Sequence, residues 1–342
     1  MTTISLVVPT YEMSGYLPEL WASFESAGLF DVLEEVIVVD DGSKDATREV
    51  LARLAGGAHG EKLVRVHLER NVGRFRARIE GAKRAKGSHV LFLDSRLTLP
   101  QGFGRALAVA AEKHASVMGV VDIDVTRNVF CLYWDRSHRR IFRRTYEATK
   151  RELVLTPDNY DDHVKGTTVF LCERDTFLET SSAFEDLLND DTFLLKEMVK
   201  KTPITIDPTV RVQWVPRETF REFLERLWER GPSFVEYHVF EHQGAFFWAV
   251  VAGGVVFVGL SCLTLAAPFV GGIAWTGALA ATALSTALFA RSPVELVKLA
   301  PLHVAVVGTF GAGVLRGLWV NARRAAFGRG PRAASAAVAR PT

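Results

Sequence analysis

The sequence predicts an α/β domain built on a mostly parallel sheet flanked by helices, followed by C-terminal transmembrane helices. Short apolar runs alternate with helical patterns over the first hundred residues. That alternation is typical of a parallel sheet covered by helices. Beyond residue 244 charged residues disappear for a stretch longer than one helix, which indicates a membrane segment.

Four apolar runs are predicted as buried strands: Ile4–Val8, Glu35–Val39, Leu63–His67 and His89–Leu93. Helices are expected between them: Trp21–Leu33, Ala46–Leu54 and Arg76–Lys86. Polar residues follow three of the strands, at Thr10–Glu12, Asp40–Asp41 and Asp94. Since ligands bind beyond the carboxyl ends of such strands, we expect a binding site there.

Two nucleotide-binding fingerprints are absent from the sequence. No G-x-G-x-x-G follows the first strand and no G-x-x-x-x-G-K-[ST] loop occurs, which disfavours a dinucleotide oxidoreductase and a P-loop NTPase. The three cysteines, Cys131, Cys172 and Cys262, have no paired spacing. A disulfide framework or a zinc site is therefore unexpected, and free thiols suit a reducing compartment.

The membrane segment begins at Ala245 and carries no charge as far as Ala290. Because one crossing takes about 20 apolar residues, the segment 245–290 fits two transmembrane helices, with a turn near Pro268. A third apolar segment, 299–320, carries Arg316 near one end and is either a span or an interfacial segment. The alternative is a buried helical core, although soluble core helices rarely run so long without a charge.

The residues after Asn321 include five arginines and no acid. We expect 321–342 to be a basic, disordered tail that stays cytoplasmic by the positive-inside rule. No signal peptide precedes the first strand, so the large domain is expected on the same side. Both ends inside require an even number of crossings, which favours two spans.

Four motifs occur in order: Val7–Glu12, Val38–Asp45, Asn71–Arg78 and Phe92–Arg96. Together they strongly resemble the family 2 glycosyltransferases, which have the A-type fold. The resemblance runs from about residue 4 to residue 234. The anchor is similar to those of bacterial members that build polysaccharides or lipid-linked glycans, which implies an inner-membrane, multi-pass location.

The resemblance implies a donor pocket after the first two strands. In it, Asp40 or Asp41 would bond the base of a nucleotide-diphosphate sugar, and Pro9, Tyr11 and Glu12 would line the same pocket. The alternative is a turn followed by a helix cap, because Asp-Gly-Ser is ordinary turn sequence. The turn would be preferred for this motif alone, whereas the ordered set favours the donor pocket.

The third motif implies that a loop and the helix behind it lie over the donor. Asn71 belongs to the loop, and Arg74 and Arg78 could face the diphosphate, where a planar cation pairs well with phosphate oxygens. The alternative is a helix start with solvated arginines.

The fourth motif concerns a metal. Asp94 matches the first Asp of the Asp-x-Asp signature, which implies Mg²⁺ or Mn²⁺ held against the diphosphate. Arg96 stands at the third position, where the family has a second Asp. A divalent metal is still expected, and Arg96 either reaches the diphosphate itself or points away.

A fifth segment, Asn189–Lys196, resembles the family's Glu-Asp motif. Alignment on Leu194 places Asp191 at the general base and Asp190 at the Glu. The alternative is that two acids simply favour a helix N-terminus, and both interpretations can hold together.

Residues 216–240 are predicted as an amphipathic interfacial helix, since apolar residues recur there at helical spacing. Arg226 and Arg230 on its polar side would face phosphate headgroups or the acceptor. The alternative is a helix packed on the domain. The basic segment Arg136–Arg151 favours membrane lipid or a lipid pyrophosphate acceptor over nucleic acid.

The resemblance thus implies a catalytic domain over residues 1–215 that inverts the sugar it transfers. The acceptor would be lipid-linked or a growing glycan at the cytoplasmic face. One alternative is a polyprenyl-phosphate sugar synthase, whose phosphate acceptor needs little base. Another is a non-catalytic membrane scaffold that binds a nucleotide-sugar.

Overall fold

The computed structural model describes residues 2–184, 187, 190–216 and 218–327. The chain divides into two compact units, which are described separately. The first comprises Met1–Asp124, Phe142–Glu185 and Asp190–Pro216, and the second Val125–Ile141, Asp186–Asn189 and Arg217–Thr342.

The first unit is built on one nine-stranded sheet. Its strands are β1 (Ile4–Thr10), β2 (Glu35–Asp40), β3 (Leu63–His67), β4 (His89–Leu93), β5 (Leu97–Thr98), β6 (Val117–Ile123), β7 (Leu153–Leu155), β8 (Val169–Glu173) and β9 (Ile204–Trp214). The order is β3-β2-β1-β4-β8-β6-β9-β5, with β7 paired to β9. The four predicted strands are confirmed and lie parallel to one another.

The other half of the sheet was not predicted from the sequence. There β8 runs antiparallel to β4 and β6, while β6 and β9 are parallel. The result is a mixed sheet in which β1 and β2 are buried along their whole length. Burial on both faces explains why these strands read as continuous apolar runs without alternation.

Helices accompany this sheet: α1 (Leu17–Ser26), α2 (Thr47–Ala55), α3 (Arg74–Arg84), α4 (Phe103–Lys113), α6 (Arg143–Ala148), α7 (Arg174–Ser181) and α8 (Asp190–Lys201). The predicted bounds Trp21–Leu33 are wrong at both ends. The helix α1 ends at Ser26 and begins directly after Tyr16, with Pro18 in its first turn. Proline is well placed there since the first N–H groups of a helix have no partner.

The second unit is helical: α5 (Val129–Ile141), α9 (Phe220–Val235), α10 (Ala245–Ala266), α11 (Pro268–Ser285) and α12 (Pro293–Ala326). Its apolar core contains Tyr133, Phe223, Leu227, Leu299 and Leu302. Phe223 and Leu227 of α9 are therefore buried within this unit, whereas Phe220 and Trp228 of the same predicted apolar face are exposed. The interfacial role of this helix stays a prediction.

Gly231 and Pro232 lie inside α9, although proline ordinarily ends or kinks a helix. The helix continues to Val235 and is followed by a π-helical turn, Glu236–Glu241. Close packing against α12 explains the continuation: a Cβ added at Gly231 would lie 2.0 Å from the Gly313 carbonyl oxygen. The carbonyl of Pro232 also accepts a hydrogen bond from Asn321 at 2.9 Å.

Three helices, α10, α11 with the short turn after it, and α12, are long and apolar enough to cross a membrane. The segment 245–290 contains two helices, which break at Ala267 directly before Pro268. The predicted boundary of the tail is wrong, because α12 extends to Ala326 and Asn321 is buried. The rest of the predicted tail, 328–342, lies outside the described residues.

Candidate functional site

The centre of the candidate site is the side chain of Arg78, which is only 1 % exposed. Its Nη1 atom donates to Asp191 Oδ1 and its Nη2 atom donates to Asp94 Oδ1, both at 2.8 Å. Arg78 lies on α3, Asp94 follows β4, and Asp191 lies in the first turn of α8. One guanidinium therefore joins three segments that are distant in sequence.

A second arginine, Arg74, lies one turn earlier on α3. Residues four apart share a helix face, so Arg74 points to the same acids as Arg78. The Nη2 atom of Arg74 donates to Asp191 Oδ2 at 2.9 Å, and its Nη1 atom is 3.7 Å from Asp94 Oδ2. The Arg74 side chain is 46 % exposed. The site thus pairs a fixed, buried arginine with a more accessible one.

The ionisation of Asp191 is set by these neighbours. Burial acts to raise the pKa of Asp191, but the charges of Arg78 and Arg74 outweigh it, and the net shift of the pKa is downward. The N-terminus of α8 also favours an anion. Asp191 is therefore held as a carboxylate, while the side chain of Asp190 lies outside the described residues.

Asp94 uses both of its oxygens. Besides the Arg78 contact at Oδ1, its Oδ2 atom accepts a hydrogen bond from Thr168 Oγ1 at 3.1 Å. The Arg96 guanidinium donates to the Pro216 carbonyl at 2.7 Å and lies over the ring of Tyr16. Of Asp94, Thr168, Arg78 and Arg96, only Asp94 therefore offers a carboxylate that could bind a metal ion.

The first acid after β2, Asp40, is fully buried and bonded on both oxygens. Oδ1 accepts from the backbone N–H of Ser43 at 2.9 Å, and Oδ2 accepts from Arg48 Nε at 3.0 Å. Burial acts to raise the pKa of Asp40, but the hydrogen bonds from Ser43, Arg48 and His67 lower it by more, so the net shift of the pKa is downward. These contacts fit the turn that the sequence offered as an alternative.

The second acid, Asp41, fixes the loop before α3. Its two oxygens accept the backbone N–H groups of Val72 at 2.7 Å and Gly73 at 2.9 Å. Burial raises the pKa of Asp41, and these two bonds offset only part of the effect. The loop that contains Asn71 is thereby attached to the end of β2.

The residues after β1 lie against the same turn. The backbone N–H of Glu12 donates to Ser43 Oγ at 2.9 Å, and Glu12 has a left-handed backbone with φ of 54°. Tyr11 is exposed, and its hydrogen bond to Glu12 is the main cause that raises the pKa of its phenol. Pro9 is buried as the penultimate residue of β1. Their roles toward a donor stay predictions.

The family model for "Glycosyl transferase family 2" matches residues 5–176. This match covers half of the chain and includes β2, α3 and β4 of the site, whereas α8 with Asp191 lies beyond it. The chain belongs to glycosyl transferase family 2.

Relatives within the family share part of the chain. An undecaprenyl-phosphate 4-deoxy-4-formamido-L-arabinose transferase of Sodalis glossinidius is 30% identical over 177 residues, covering 51% of this chain and 54% of that protein. The enzyme of that name from Aeromonas hydrophila is 37% identical over 121 residues, covering 34% and 36%. The chain thus spans about half the length of the curated relatives it matches, or less.

The fold is shared with a mannosyltransferase from Pyrobaculum calidifontis, solved in complex with GDP-Man and Mn2+. The TM-score is 0.63 at 18% identity, over 93% of this chain and 87% of that one. This likeness shows that the family 2 chain has the A-type architecture that the motifs predicted.

The predicted acceptor arginines belong to the second unit. Arg226 pairs with Glu229 at 3.2 Å, and the Arg230 guanidinium lies over the Trp134 ring at 4.7 Å from its centroid. Their proposed contact with headgroups or acceptor stays a prediction.

Sequence reasoning missed Thr168, Tyr16 and Arg48 as neighbours of the predicted acids. Thr168 directly precedes β8, and β8 pairs antiparallel with β4, so Thr168 comes to lie beside Asp94. A strand predicted at Val169–Glu173 would have been the only local signal, since the pairing itself is decided by the sheet.

Proposed function

We propose that this family 2 glycosyltransferase moves a sugar from a nucleotide-diphosphate sugar to the phosphate of a polyprenyl lipid, with inversion at the anomeric carbon. The names of the relatives, which are undecaprenyl-phosphate transferases, support a lipid phosphate acceptor. The three helices able to cross a membrane support an enzyme that works at a lipid surface. We further propose that the catalytic unit faces the cytoplasm.

The observation that carries this proposal is the double ion pair of Asp191 with Arg74 and Arg78. A hydroxyl acceptor needs a base to remove its proton, and a carboxylate whose pKa is lowered by two arginines is a weak base. A phosphate monoester has a second pKa of about 6 and is already an anion at neutral pH. The geometry of Asp191 therefore suits an acceptor that needs no base.

The reaction is then a single displacement. An oxygen of the lipid phosphate forms a bond to the anomeric carbon while the carbon–oxygen bond to the nucleoside diphosphate breaks. The electron pair of that bond leaves with the diphosphate from the opposite face. No proton moves, and the product is a phosphodiester between lipid and sugar.

In this mechanism the Arg74 guanidinium neutralises the negative charge of a phosphate, and Asp191 positions that guanidinium. Because Arg74 is half exposed, its guanidinium can leave Asp191 for a phosphate oxygen, where charge-assisted bonds are strong. Arg78 is buried and stays in place, so Asp94 and Asp191 keep a fixed separation. Fixed charge of this kind stabilises developing charge without reorganisation.

We propose Asp94 as the residue that would hold Mg²⁺ or Mn²⁺. Its Oδ2 atom is the oxygen not bonded to Arg78, and a hard cation completes its shell with diphosphate oxygens and water. When bound, the metal would neutralise the leaving diphosphate. Arg96 supplies no ligand, so the affinity for the metal is expected to be low.

The test is a transfer assay on the full chain in lipid nanodiscs across a panel of UDP-, GDP- and CMP-sugars. The acceptors are undecaprenyl phosphate, undecaprenol, and an undecaprenyl-diphosphate oligosaccharide. We expect product with undecaprenyl phosphate alone. Product only with a hydroxyl acceptor would contradict the phosphate acceptor and restore Asp191 as the base. Donor binding without any transfer would instead support the non-catalytic scaffold.

A further inference from the structure

Three potential metal ligands come together in the first unit. They are His114, at the C-terminal end of α4, Glu152, directly before β7, and Asp207, inside β9. One ligand atom of each lies within 4.8 Å of the other two. They share no residue with the Asp94 site, and the proposed function does not use them.

The strand pairing explains why the two carboxylates meet. β7 and β9 are antiparallel, with Leu153 opposite Ile206, so the next residues, Glu152 and Asp207, come to opposing positions. Like charges opposite one another across strands are destabilising. Asp207 is only 3% exposed, which increases the cost of leaving its charge unbalanced.

Local structure holds Asp207 in place. Its Oδ1 atom accepts hydrogen bonds from the backbone N–H of Thr209 at 2.8 Å and from Thr209 Oγ1 at 2.7 Å. The pairing of β9 with β6 shifts register directly after Asp207. Asp207 thus lies beside an irregularity of the kind that often changes where a side chain points.

The imidazole of His114 has the arrangement of a metal ligand. Its Nδ1 atom lies 3.3 Å from Thr205 Oγ1. When Nδ1–H donates to this hydroxyl, Nε2 carries the lone pair that a metal needs. The Nε2 atom is buried, has no hydrogen-bond partner among the described residues, and lies 3.4 Å from Glu152 Oε2. Among the described residues, Lys113 is the lysine or arginine that pairs with the cluster. Its Nζ atom is 3.7 Å from Glu152 Oε1.

We propose that His114, Glu152 and Asp207 bind a divalent transition metal such as Zn²⁺. One imidazole nitrogen and two carboxylate oxygens are a ligand set that zinc accepts, with water completing four positions. Zinc bonds to such atoms at about 2.0–2.2 Å, so the three ligand atoms must move closer, and the exposed Glu152 can do so. The metal would connect α4 to β7 and β9 and neutralise the opposed carboxylates.

The cysteine spacing gave no sign of this site, since none of its ligands is a cysteine. Its residues are also separated along the chain, and only the pairing of β7 with β9 brings two of them together. The role of the metal is structural, because the cluster contains no residue of the candidate catalytic site.

The experiment uses the full chain in detergent, stripped with a chelator and then titrated with ZnCl₂ in equilibrium dialysis. We expect one tight zinc site in the wild type and a higher melting temperature with zinc. His114→Gln and Glu152→Gln should each weaken binding by roughly 100-fold or more, since changing even an outer-shell partner of a metal ligand costs about 10–100-fold. Both substitutions are at partly or fully exposed positions and should leave the fold intact, which circular dichroism checks.

Two controls separate this site from others. Glu112→Gln removes a neighbouring exposed acid on α4 and should bind zinc like the wild type. Asp94→Asn removes the candidate donor-site ligand and should also keep the tight site. Absence of tight zinc binding in the wild type, or unchanged binding in both His114→Gln and Glu152→Gln, would overturn the proposal.

Discussion

Arg78 donates to Asp191 at 2.8 Å across 113 positions of sequence. The same guanidinium bonds Asp94, so one buried cation fixes both the acid expected to hold a metal and the acid expected to act as a base. An acid in such a pair contributes to charge and position more readily than to proton transfer. The predictions below begin from that relationship.

The first prediction concerns the stability that Arg78 provides. Arg78→Met fills a similar volume but leaves Asp94 and Asp191 without their buried partner, and breaking a buried pair costs about 3–5 kcal/mol. The free energy of unfolding, measured with denaturant at neutral pH, should fall by that amount. Lys83→Met on the exposed side of α3 is the control, since surface pairs contribute at most ~1 kcal/mol.

The same variant has an expected pH dependence. Because the arginines lower the pKa of Asp191, the pair stabilises the fold above the unfolded pKa of about 3.9. This stabilisation is lost as pH falls through the lower folded pKa. The difference between wild type and Arg78→Met should therefore shrink in acid, and a difference independent of pH would contradict the ion-pair explanation.

The second prediction concerns Asp191 in catalysis. If the acceptor is a phosphate, Asp191→Asn should lower kcat by less than ~10-fold and affect KM more, since Arg74 loses its positioning partner. A general base is worth about 10²–10⁴-fold. The kinetics are measured with undecaprenyl phosphate as the acceptor, and Asp175→Asn, at an exposed acid in the first turn of α7, is the matched control. A loss of kcat above 100-fold with unchanged KM would identify Asp191 as the base.

The third prediction concerns the metal. Transfer should fall after exhaustive chelation and return with Mg²⁺ or Mn²⁺, with half-saturation at a higher concentration than in Arg96→Asp, which restores a second acid. Asp94→Asn should abolish the response to metal. Full wild-type activity after chelation would exclude a required metal and would leave the arginines to neutralise the diphosphate.

The fourth prediction concerns the crossing of α9 with α12. Gly231→Ala places a methyl group 2.0 Å from the Gly313 carbonyl oxygen, and overpacking costs about 1–3 kcal/mol. The melting temperature in detergent should fall. Gly308→Ala is the control, because a Cβ there meets nothing within 4 Å and alanine favours a helix by about 0.8–1 kcal/mol. Equal melting temperatures for the two variants would rule out the tight crossing.

The fifth prediction concerns topology. By the positive-inside rule, the arginines after Asn321 predict a cytoplasmic C-terminal tail, on the same side as the catalytic unit, although three helices are long enough to cross. A reporter fused after Arg329 should give a cytoplasmic signal, matching a second reporter at Met1. Opposite signals from the two fusions would mean that all three helices cross.

The sequence by itself determined the strands β1 to β4 and the apolar helices after residue 244. These features depend on local apolar periodicity and on length, which are visible in any short window. It also marked Asp94 and Asp191 as acids at the ends of structural elements, by their place in ordered motifs. It could not assign their state, because an ionic partner 113 residues away leaves no local pattern.

Only the tertiary structure decided which of those groups meet. The order of the strands brings α3, β4 and α8 together, and this makes Arg78 a bridge while Arg96 bonds the Pro216 carbonyl. Packing against Gly313 likewise carries α9 past Pro232, where the local propensity predicts an end. The physical reason is common to these cases: burial and pairing between distant segments contribute more free energy than the preferences of neighbouring residues.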